Sequence, residues 1–273
     1  MKYKYRKAGI LLLSAALGTL YLTAPEKHSK DLAAPFYGRN IAHRGLHSGD
    51  SQTPENSLSA FRAAAETGYG IELDLQMTKD GQVVVYHDDD LKRGCGIEGC
   101  IEDMSFEQLR ELTLFGSNEH IPHFSEVLDA IGGRVPMIVE LKSGRRNREL
   151  CEATLELLQA YDGDYCVESF DPNIVAWFRY NAPDILRGQL SSAPQELQKH
   201  TSRAKAFLVG HLFTNYMARP HFVAYGLEKK PLTVRLCEKM GAMRVCWTSL
   251  EPENEAENDV VIFQYYHPAV KFK

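Results

Sequence analysis

Apolar and polar positions alternate strictly between residues 71 and 76. In a strand this pattern puts the apolar side chains on one face and the polar ones on the other. The polar set is Glu72, Asp74 and Gln76. The turn dipeptide Asp80-Gly81 follows, and an apolar run then leads to His87-Asp88. The pattern predicts a strand, a tight turn and a second strand that returns to a histidine.

Strand-like and helix-like segments alternate along most of the chain. Residues 54–67 are predicted to form a helix capped by Thr53 and ended by Gly68, and Ser105 with Gln108 three residues later indicates another helix start. Apolar runs such as residues 40–43 and 135–142 are predicted to be strands. About eight strands separated by helices favour an α/β fold of the closed (β/α)8 TIM-barrel type over an open sheet.

Length and charge are consistent with a single barrel. The 273 residues are 44% hydrophobic and 25% charged, which fits one barrel at residues 37–273 and a short separate segment at residues 1–36. The formal net charge is −5 and there is no long basic run. A nucleic-acid partner is therefore not expected.

The N-terminal segment has the pattern of a membrane or export signal. Residues 2–7 carry four basic side chains, and residues 8–24 contain no charge. This stretch is at the short limit of the roughly 17–25 residues that span a bilayer, and it also resembles an export signal. Pro25 would follow a cut after Ala24 and disfavours cleavage. We expect a membrane anchor at residues 8–24 and an extracytoplasmic catalytic domain, with secretion after signal cleavage as the alternative.

The cysteines leave two interpretations open. Six are present, and Cys95 and Cys100 are close enough in sequence for a small loop disulfide. Buried or idle thiols are the alternative. There is no CxxC pair, so a zinc site built from cysteine is not expected.

Polar residues gather at the predicted strand ends, which meet on one face of a barrel. Glu72 and Asp74 would lie about 7 Å apart on one face of their strand, with a repulsion of about 2–3 kcal/mol and a further desolvation cost. A hard divalent cation would offset this repulsion, with Glu140 as the third oxygen ligand. Lys142 is another source of positive charge, and a solvated strand face is the simpler alternative.

Two histidines lie in the same predicted region. His43 ends the first strand and His87 ends the run after the turn. Imidazole titrates near neutral pH, so the pair could act as general acid and base.

An ordered set of motifs in this chain resembles the glycerophosphodiester phosphodiesterases. In chain order they are His43-Arg44-Gly45, Pro54-Glu55-Asn56, Glu72 with Asp74, residues 78–81 (TKDG), His87-Asp88, and Glu140 with Lys142. The resemblance covers residues 40–263. The chain departs from the family pattern at Ser57, where threonine is common, and in a longer segment after Trp247.

The resemblance implies a TIM barrel that hydrolyses glycerophosphodiesters to sn-glycerol 3-phosphate and an alcohol. It implies that His43 and His87 are the acid–base pair and that Glu72, Asp74 and Glu140 bind one Ca²⁺ or Mg²⁺. By the same resemblance Arg44 and Lys142 would hold the substrate phosphate. Glu55 and Asn56 would hold these residues in position without contacting the metal or the substrate themselves.

Some expectations stay open. Trp247 could pack on the glycerol or alcohol moiety, or could be a core residue. The alternatives to glycerophosphodiester hydrolysis are a lysophospholipase D or sphingomyelinase D-like activity on membrane lipids, and a barrel that binds phosphodiesters without turnover.

Overall fold

The computed structural model describes residues 2–27, 30–49 and 51–273. Its centre is a closed barrel of eight parallel strands, and one short antiparallel strand is attached to it. The parallel strands are β1 (Arg39–Ala42), β2 (Gly70–Met77), β4 (Met137–Leu141), β5 (Tyr165–Ser169), β6 (Arg187–Ser191), β7 (Phe222–Tyr225), β8 (Met243–Ser249) and β9 (Val260–Phe263). The antiparallel strand is β3 (Val83–Val85).

Pairing of the first strand with both its neighbours closes the barrel. Strand β1 pairs in parallel with β9 on one side and with β2 on the other. The remaining strands follow one another in chain order around the barrel, and β3 folds back on β2 through the turn at Gly81. The predicted (β/α)8 barrel is therefore confirmed.

Helices surround this barrel and connect its strands. They are α1 (Lys2–Thr23), α2 (Lys30–Ala33), α3 (Leu58–Thr67), α4 (Lys92–Cys95), α5 (Phe106–Arg110), α6 (Phe124–Ile131), α7 (Asn147–Gln159), α8 (Pro172–Asn181), α9 (Pro194–Leu197), α10 (Arg203–Gly210), α11 (Asn215–Ala218) and α12 (Leu232–Lys239). Two 3₁₀ turns occur at Ile101–Asp103 and Pro252–Ala256.

The alternation of β2 separates an apolar layer from a polar interior. Ile71, Leu73 and Leu75 are fully buried in the cluster that also contains Phe61 of α3 and Phe124 of α6. Because successive side chains on a strand point to opposite faces, the residues between them point into the barrel. The polar face of β2 is buried and is not a solvated surface.

A second cluster fills the barrel interior below the polar residues. It contains Ile41, Ile138 and Phe222 from three strands. Ala33 of α2 and the nearby Phe36 complete it from outside the strands. Residues that precede β1 thus pack against the barrel, and the division of the chain at residue 36 stays a prediction.

The helix predicted for residues 54–67 begins later than expected. Its first residue is Leu58, and Ser57 caps it, because the Ser57 side chain accepts a hydrogen bond from the Ala60 amide. Gly68 ends the helix with a φ of 89°, as predicted. The preceding turn contains Asn56 at a φ of 55°, a left-handed conformation that a helix cannot include.

The predicted anchor is not confirmed. Residues 8–24 fall almost entirely within α1, but none of the helices in the described ranges is long and apolar enough to cross a membrane. The physical reason is that α1 also contains the basic residues of the N-terminus, which leaves only a short uncharged stretch.

The cysteines are free thiols. Cys95 and Cys100 do not form the loop disulfide that their spacing allowed, and the other four cysteines are buried. The Cys100 thiol lies 2.8 Å from Oδ2 of Asp103.

Candidate active site

Three buried carboxylates meet on the neighbouring strands β2 and β4. Glu72, Asp74 and Glu140 are 2%, 1% and 7% exposed, and one ligand oxygen from each lies within 4.8 Å of the others. The register pairs Asp74 with Glu140 on the neighbouring strand. The structure therefore brings together the three residues that the sequence predicted as metal ligands.

A fourth carboxylate extends this row. Glu168 on β5 is paired in register with Glu140 and is also buried. Burial raises the pKa of Glu168 well above its usual value, and the charges of Glu140 and Asp74 raise it further. Its Oε2 has no hydrogen-bond partner among the described residues.

The charges of the three central carboxylates are unevenly compensated. Burial, then Asp74 and Glu140, raise the pKa of Glu72 well above its usual value. Burial would also raise the pKa of Asp74, but the charges of His87, Lys142 and Arg44 lower it. Such a set of oxygen ligands with too few cations around it fits a hard divalent cation.

Two cations lie against this cluster. Nζ of Lys142 is 3.0 Å from Oε1 of Glu140 and 3.6 Å from Oδ1 of Asp74. Nε of Arg44 is 3.4 Å from Oδ2 of Asp74, and the Arg44 amide donates to Glu72 over 2.9 Å. Both side chains are mostly buried, so they could hold an anionic group next to the carboxylates.

The loop after β1 holds Arg44 in a strained conformation. Arg44 has a φ of 54° and Gly45 a φ of 82°. A Cβ on Gly45 would lie 2.8 Å from the Cβ of Ala60, so only glycine fits where this loop passes α3. The Asn56 amide donates to the Arg44 carbonyl over 2.9 Å and ties the two loops together.

His43 is held by an amide side chain. Its Nδ1 lies 2.7 Å from Oε1 of Gln264, and its Nε2 lies 3.8 Å from Oε2 of Glu72. A carbonyl oxygen can only accept, so Nδ1 carries the hydrogen and Nε2 has the free lone pair. Burial, reinforced by Arg44, lowers the pKa of His43 to about 3, so the ring is neutral near neutral pH.

His87 is held by a carboxylate instead. Its Nδ1 lies 2.6 Å from Oδ1 of the adjacent Asp88. The Asp88 carboxylate can only accept, so Nδ1 of His87 carries the hydrogen and the contact fixes the orientation of the ring. The two histidines therefore have different partners, which suits one for a base and the other for an acid.

Glu55 and Asn56 each form a hydrogen bond with another side chain of the site. Oε1 of Glu55 is 2.6 Å from Nη1 of Arg44, and Nδ2 of Asn56 donates to Oδ2 of Asp74 over 2.8 Å. Each thus contacts one of the predicted site residues, and their supporting role stays a prediction.

Trp247 lies on β8. Its indole N–H donates to the Ser191 carbonyl over 3.0 Å, and its ring packs edge-on against Phe170. The side chain is half-buried beside the interior cluster. These contacts fit a packing role, and its contact with substrate stays a prediction.

A cavity of about 170 Å³ opens beside Lys142. Gln76, Asp89 and Asn147 are among the residues that line it. It borders the carboxylate cluster at Lys142 and provides space for part of a small ligand.

Sequence reasoning did not identify Gln264, Arg93 or Glu168 as parts of the site. Gln264 follows the last strand directly and Glu168 lies in an apolar strand, so polar residues at strand ends were a usable signal for both. Arg93 lies in the short helix α4, outside the barrel strands, and no local pattern indicates its role.

Comparisons with known proteins agree with this geometry. The Glycerophosphoryl diester phosphodiesterase family matches residues 43–265. A glycerophosphodiester phosphodiesterase of Caldanaerobacter subterraneus is 42% identical over 113 residues, which are 38% of this chain and 45% of the relative. The human lysophospholipase D GDPD1 is 32% identical over 143 residues, 48% of this chain and 44% of the relative.

These alignments span less than half of the two relatives. The fold match is wider. The structure of a phosphodiesterase from Oleispira antarctica in complex with the product sn-glycerol-3-phosphate superimposes with a TM-score of 0.69 over 85% of this chain and 94% of that one, at 24% identity. This match concerns the fold, and the family match covers nearly the whole barrel. The chain belongs to the glycerophosphoryl diester phosphodiesterase family.

Proposed function

We propose that this protein hydrolyses glycerophosphodiesters to sn-glycerol 3-phosphate and an alcohol. The observation that carries the proposal is the buried group of Glu72, Asp74 and Glu140 beside two histidines with different partners. The family match and the names of the relatives support the substrate class.

A divalent cation, Ca²⁺ or Mg²⁺, is proposed as the cofactor of this site. Glu72, Asp74 and Glu140 would hold it, because their oxygens converge and their buried charges are not fully compensated. When bound, such a cation acts as a Lewis acid toward a phosphoryl oxygen. Hard oxygen ligands suit either ion.

The first step is a transfer of the phosphoryl group within the substrate. The glycerol hydroxyl next to the phosphodiester gives its proton to Nε2 of His43, and its oxygen bonds to phosphorus. The bond from phosphorus to the alcohol oxygen breaks, and His87 gives its proton to that oxygen. Arg44 and Lys142 hold the phosphate and stabilise the charge that develops on it.

The second step opens the cyclic phosphate. Water loses a proton to His87, and its oxygen bonds to phosphorus. The ring P–O bond breaks, and His43 returns its proton to the glycerol oxygen, which gives sn-glycerol 3-phosphate. Each histidine ends the cycle in the state in which it began.

A lysophospholipase D activity is the second candidate. The human relative that carries this name is 32% identical over the stretch that matches. Its chemistry would use the same residues, and the difference would lie in the acyl chain that the pocket rim accepts.

One substrate panel tests both candidates. The protein is incubated with glycerophosphocholine, glycerophosphoethanolamine and a lysophospholipid, first in EDTA and then with Ca²⁺ or Mg²⁺ restored. Release of glycerol 3-phosphate from the first two supports the main proposal, and preference for the lysophospholipid supports the second. No turnover of any substrate with either metal would favour a non-catalytic binding barrel.

Export from the cytoplasm is a separate proposal. It is supported by the order of a basic stretch, residues 2–7, before an uncharged one, residues 8–24. A fusion of residues 1–36 to a reporter that is active only outside the cytoplasm tests it. An inactive reporter would contradict the proposal, and fractionation distinguishes a membrane-held from a released product.

A further inference from the structure

We propose that Arg93 is a positioning residue that fixes catalytic His87 and phosphate-binding Arg44 relative to each other. The inference rests on the proposed function of the site. It gives a role to α4, which lies outside the barrel strands, in the segment between β3 and α6.

One edge of the Arg93 guanidinium binds the carboxylate that holds His87. Nε of Arg93 lies 2.6 Å from Oδ2 of Asp88, and Nη2 lies 2.9 Å from Oδ1. Oδ1 of Asp88 is in turn 2.6 Å from Nδ1 of His87. The two contacts of Arg93 leave Asp88 a single orientation, and that orientation sets the imidazole ring.

The other edge binds the carboxylate that holds Arg44. Nη2 of Arg93 lies 2.7 Å from Oε1 of Glu55, and Nη1 lies 3.1 Å from Oε2. Oε1 of Glu55 is also 2.6 Å from Nη1 of Arg44. One planar cation therefore links two loops that carry different parts of the site.

The surroundings of this link favour a fixed geometry. The Arg93 side chain is 48% exposed, but Glu55 and Asp88 are only 12% and 19% exposed. The guanidinium also lies over the Phe115 ring, 5.1 Å from its centroid. Exposed ion pairs usually contribute little, but paired contacts to both carboxylates make this geometry an exception.

Helix α4 is itself fixed against the barrel. A Cβ on Gly94 would lie 2.5 Å from the Tyr86 hydroxyl, and that hydroxyl donates to the Asp90 carbonyl over 3.1 Å. Tyr86 directly follows β3 and precedes His87. The backbone that carries Arg93 therefore packs closely on the strand that leads to His87.

The pKa values of the two carboxylates that bind Arg93 support the same arrangement. Burial alone would raise the pKa of Glu55, but the hydrogen bond and charge of Arg93, with those of Arg44, hold it at about 2. Hydrogen bonds from His87 and Arg93 likewise lower the pKa of Asp88 against the effect of burial. Both carboxylates stay ionised and can keep their partners in place over the working pH range.

A lysine could not replace this arginine fully. Its single ammonium is a point charge and cannot form paired contacts with two carboxylates at once. We therefore expect Arg93→Lys to recover only part of the activity that Arg93→Gln loses.

The test compares Arg93→Gln with Lys92→Gln in the full chain. Lys92 is the neighbouring residue on α4 and pairs with the exposed Glu98, so its variant controls for a lost charge on this helix. Displacing a catalytic group by about 1 Å costs up to about 100-fold in rate. We expect kcat to fall about 30–100-fold in Arg93→Gln and to stay within about twofold in Lys92→Gln, with Mg²⁺ affinity unchanged in both.

A double-variant cycle with Asp88→Asn tests whether Arg93 acts through Asp88. If Arg93 acts partly through Asp88, the double variant loses less activity than the product of the single losses. Equal kcat in Arg93→Gln and Lys92→Gln would overturn the proposal. So would a loss in Arg93→Gln that is fully explained by weaker metal binding or by unfolding.

A binding measurement separates this proposal from the proposed function. Calorimetry with sn-glycerol 3-phosphate needs no turnover, and it reports on the placement of Arg44. We expect about tenfold weaker binding in Arg93→Gln than in Lys92→Gln. Wild-type protein without turnover would refute the hydrolysis proposal alone, whereas equal binding by the two variants would refute the role of Arg93.

Discussion

Asp74 and Glu140 occupy the same register position on the neighbouring strands β2 and β4. Nζ of Lys142 lies between them, 3.6 Å from Oδ1 of Asp74 and 3.0 Å from Oε1 of Glu140. One ammonium cannot neutralise two carboxylates, and Glu72 adds a third to the same site. The closed barrel thus concentrates negative charge at the place where the side chains of Arg44 and Lys142 also lie.

Substitution of single carboxylates tests which of them bind the metal ion. We expect Glu140→Gln to weaken binding of Mg²⁺ or Ca²⁺ by more than about tenfold, because an amide oxygen carries no charge to offset that of the ion. Calorimetric titration of the metal into the chelator-treated protein measures the change.

Glu168→Gln is the matched control for this variant. Glu168 sits at the equivalent register position of the next strand, but it is not among the three described carboxylates whose ligand oxygens converge. Its amide replacement should therefore change metal affinity by less than about threefold. An equal loss in both variants would show that the ion is held by a different set of groups.

The hydrogen bond between Gln264 and His43 is expected to contribute to turnover. Gln264→Leu removes the acceptor for Nδ1–H and leaves the ring free to rotate or change tautomer. We expect kcat to fall about 10–100-fold, with a smaller change in KM. Steady-state kinetics on glycerophosphocholine measures both constants.

Tyr265→Phe provides the control for that substitution. Tyr265 is the next residue and its side chain is largely exposed, so removal of its hydroxyl should leave kcat within about twofold. If Gln264→Leu behaves like this control, His43 does not depend on the amide for its orientation.

Asp259 should stabilise the fold in a pH-dependent way. Arg244 and Lys273 lie 2.7 Å and 3.2 Å from its Oδ1. Burial alone would raise its pKa, but the hydrogen bonds from Arg244 and Lys273 lower it to about 2. Because the folded-state pKa is lowered, the stabilisation is present above about pH 4 and is lost as the pH falls toward 2.

Asp259→Asn is therefore expected to lower the free energy of unfolding by about 1–2 kcal/mol at pH 7. Urea denaturation at pH 7, 5 and 3.5 should show this difference narrowing only at the lowest pH. Asp184 is exposed, so Asp184→Asn serves as the control. A difference that is constant over the whole series would contradict the electrostatic explanation.

The sequence predicted the barrel and most of the site because both depend on local patterns. Apolar runs gave the strands, the alternation of residues 71–76 gave Glu72 and Asp74, and polar residues at strand ends gave Glu140 and His43. Parallel closure brings such ends together regardless of their distance along the chain.

Other features depend on contacts that no local pattern contains. Gln264 reaches His43 across 221 positions of sequence, and Arg93 reaches Glu55 across 38. The late start of α3 has a similar cause, because Asn56 leaves helical geometry while binding Asp74 and the Arg44 carbonyl. The Pro54-Glu55-Asn56 motif indicates the site, and the conformation of Asn56 within it is also the reason why α3 begins later than the helix pattern predicted.

The most direct test of the account is the release of sn-glycerol 3-phosphate from glycerophosphoethanolamine, followed by ³¹P NMR. Wild-type protein in EDTA should be inactive, and Mg²⁺ or Ca²⁺ should restore product formation. His43→Ala and His87→Ala should each lower kcat about 10²–10⁴-fold while binding the metal as the wild type does. Full activity in EDTA, or wild-type rates in both histidine variants, would contradict the account.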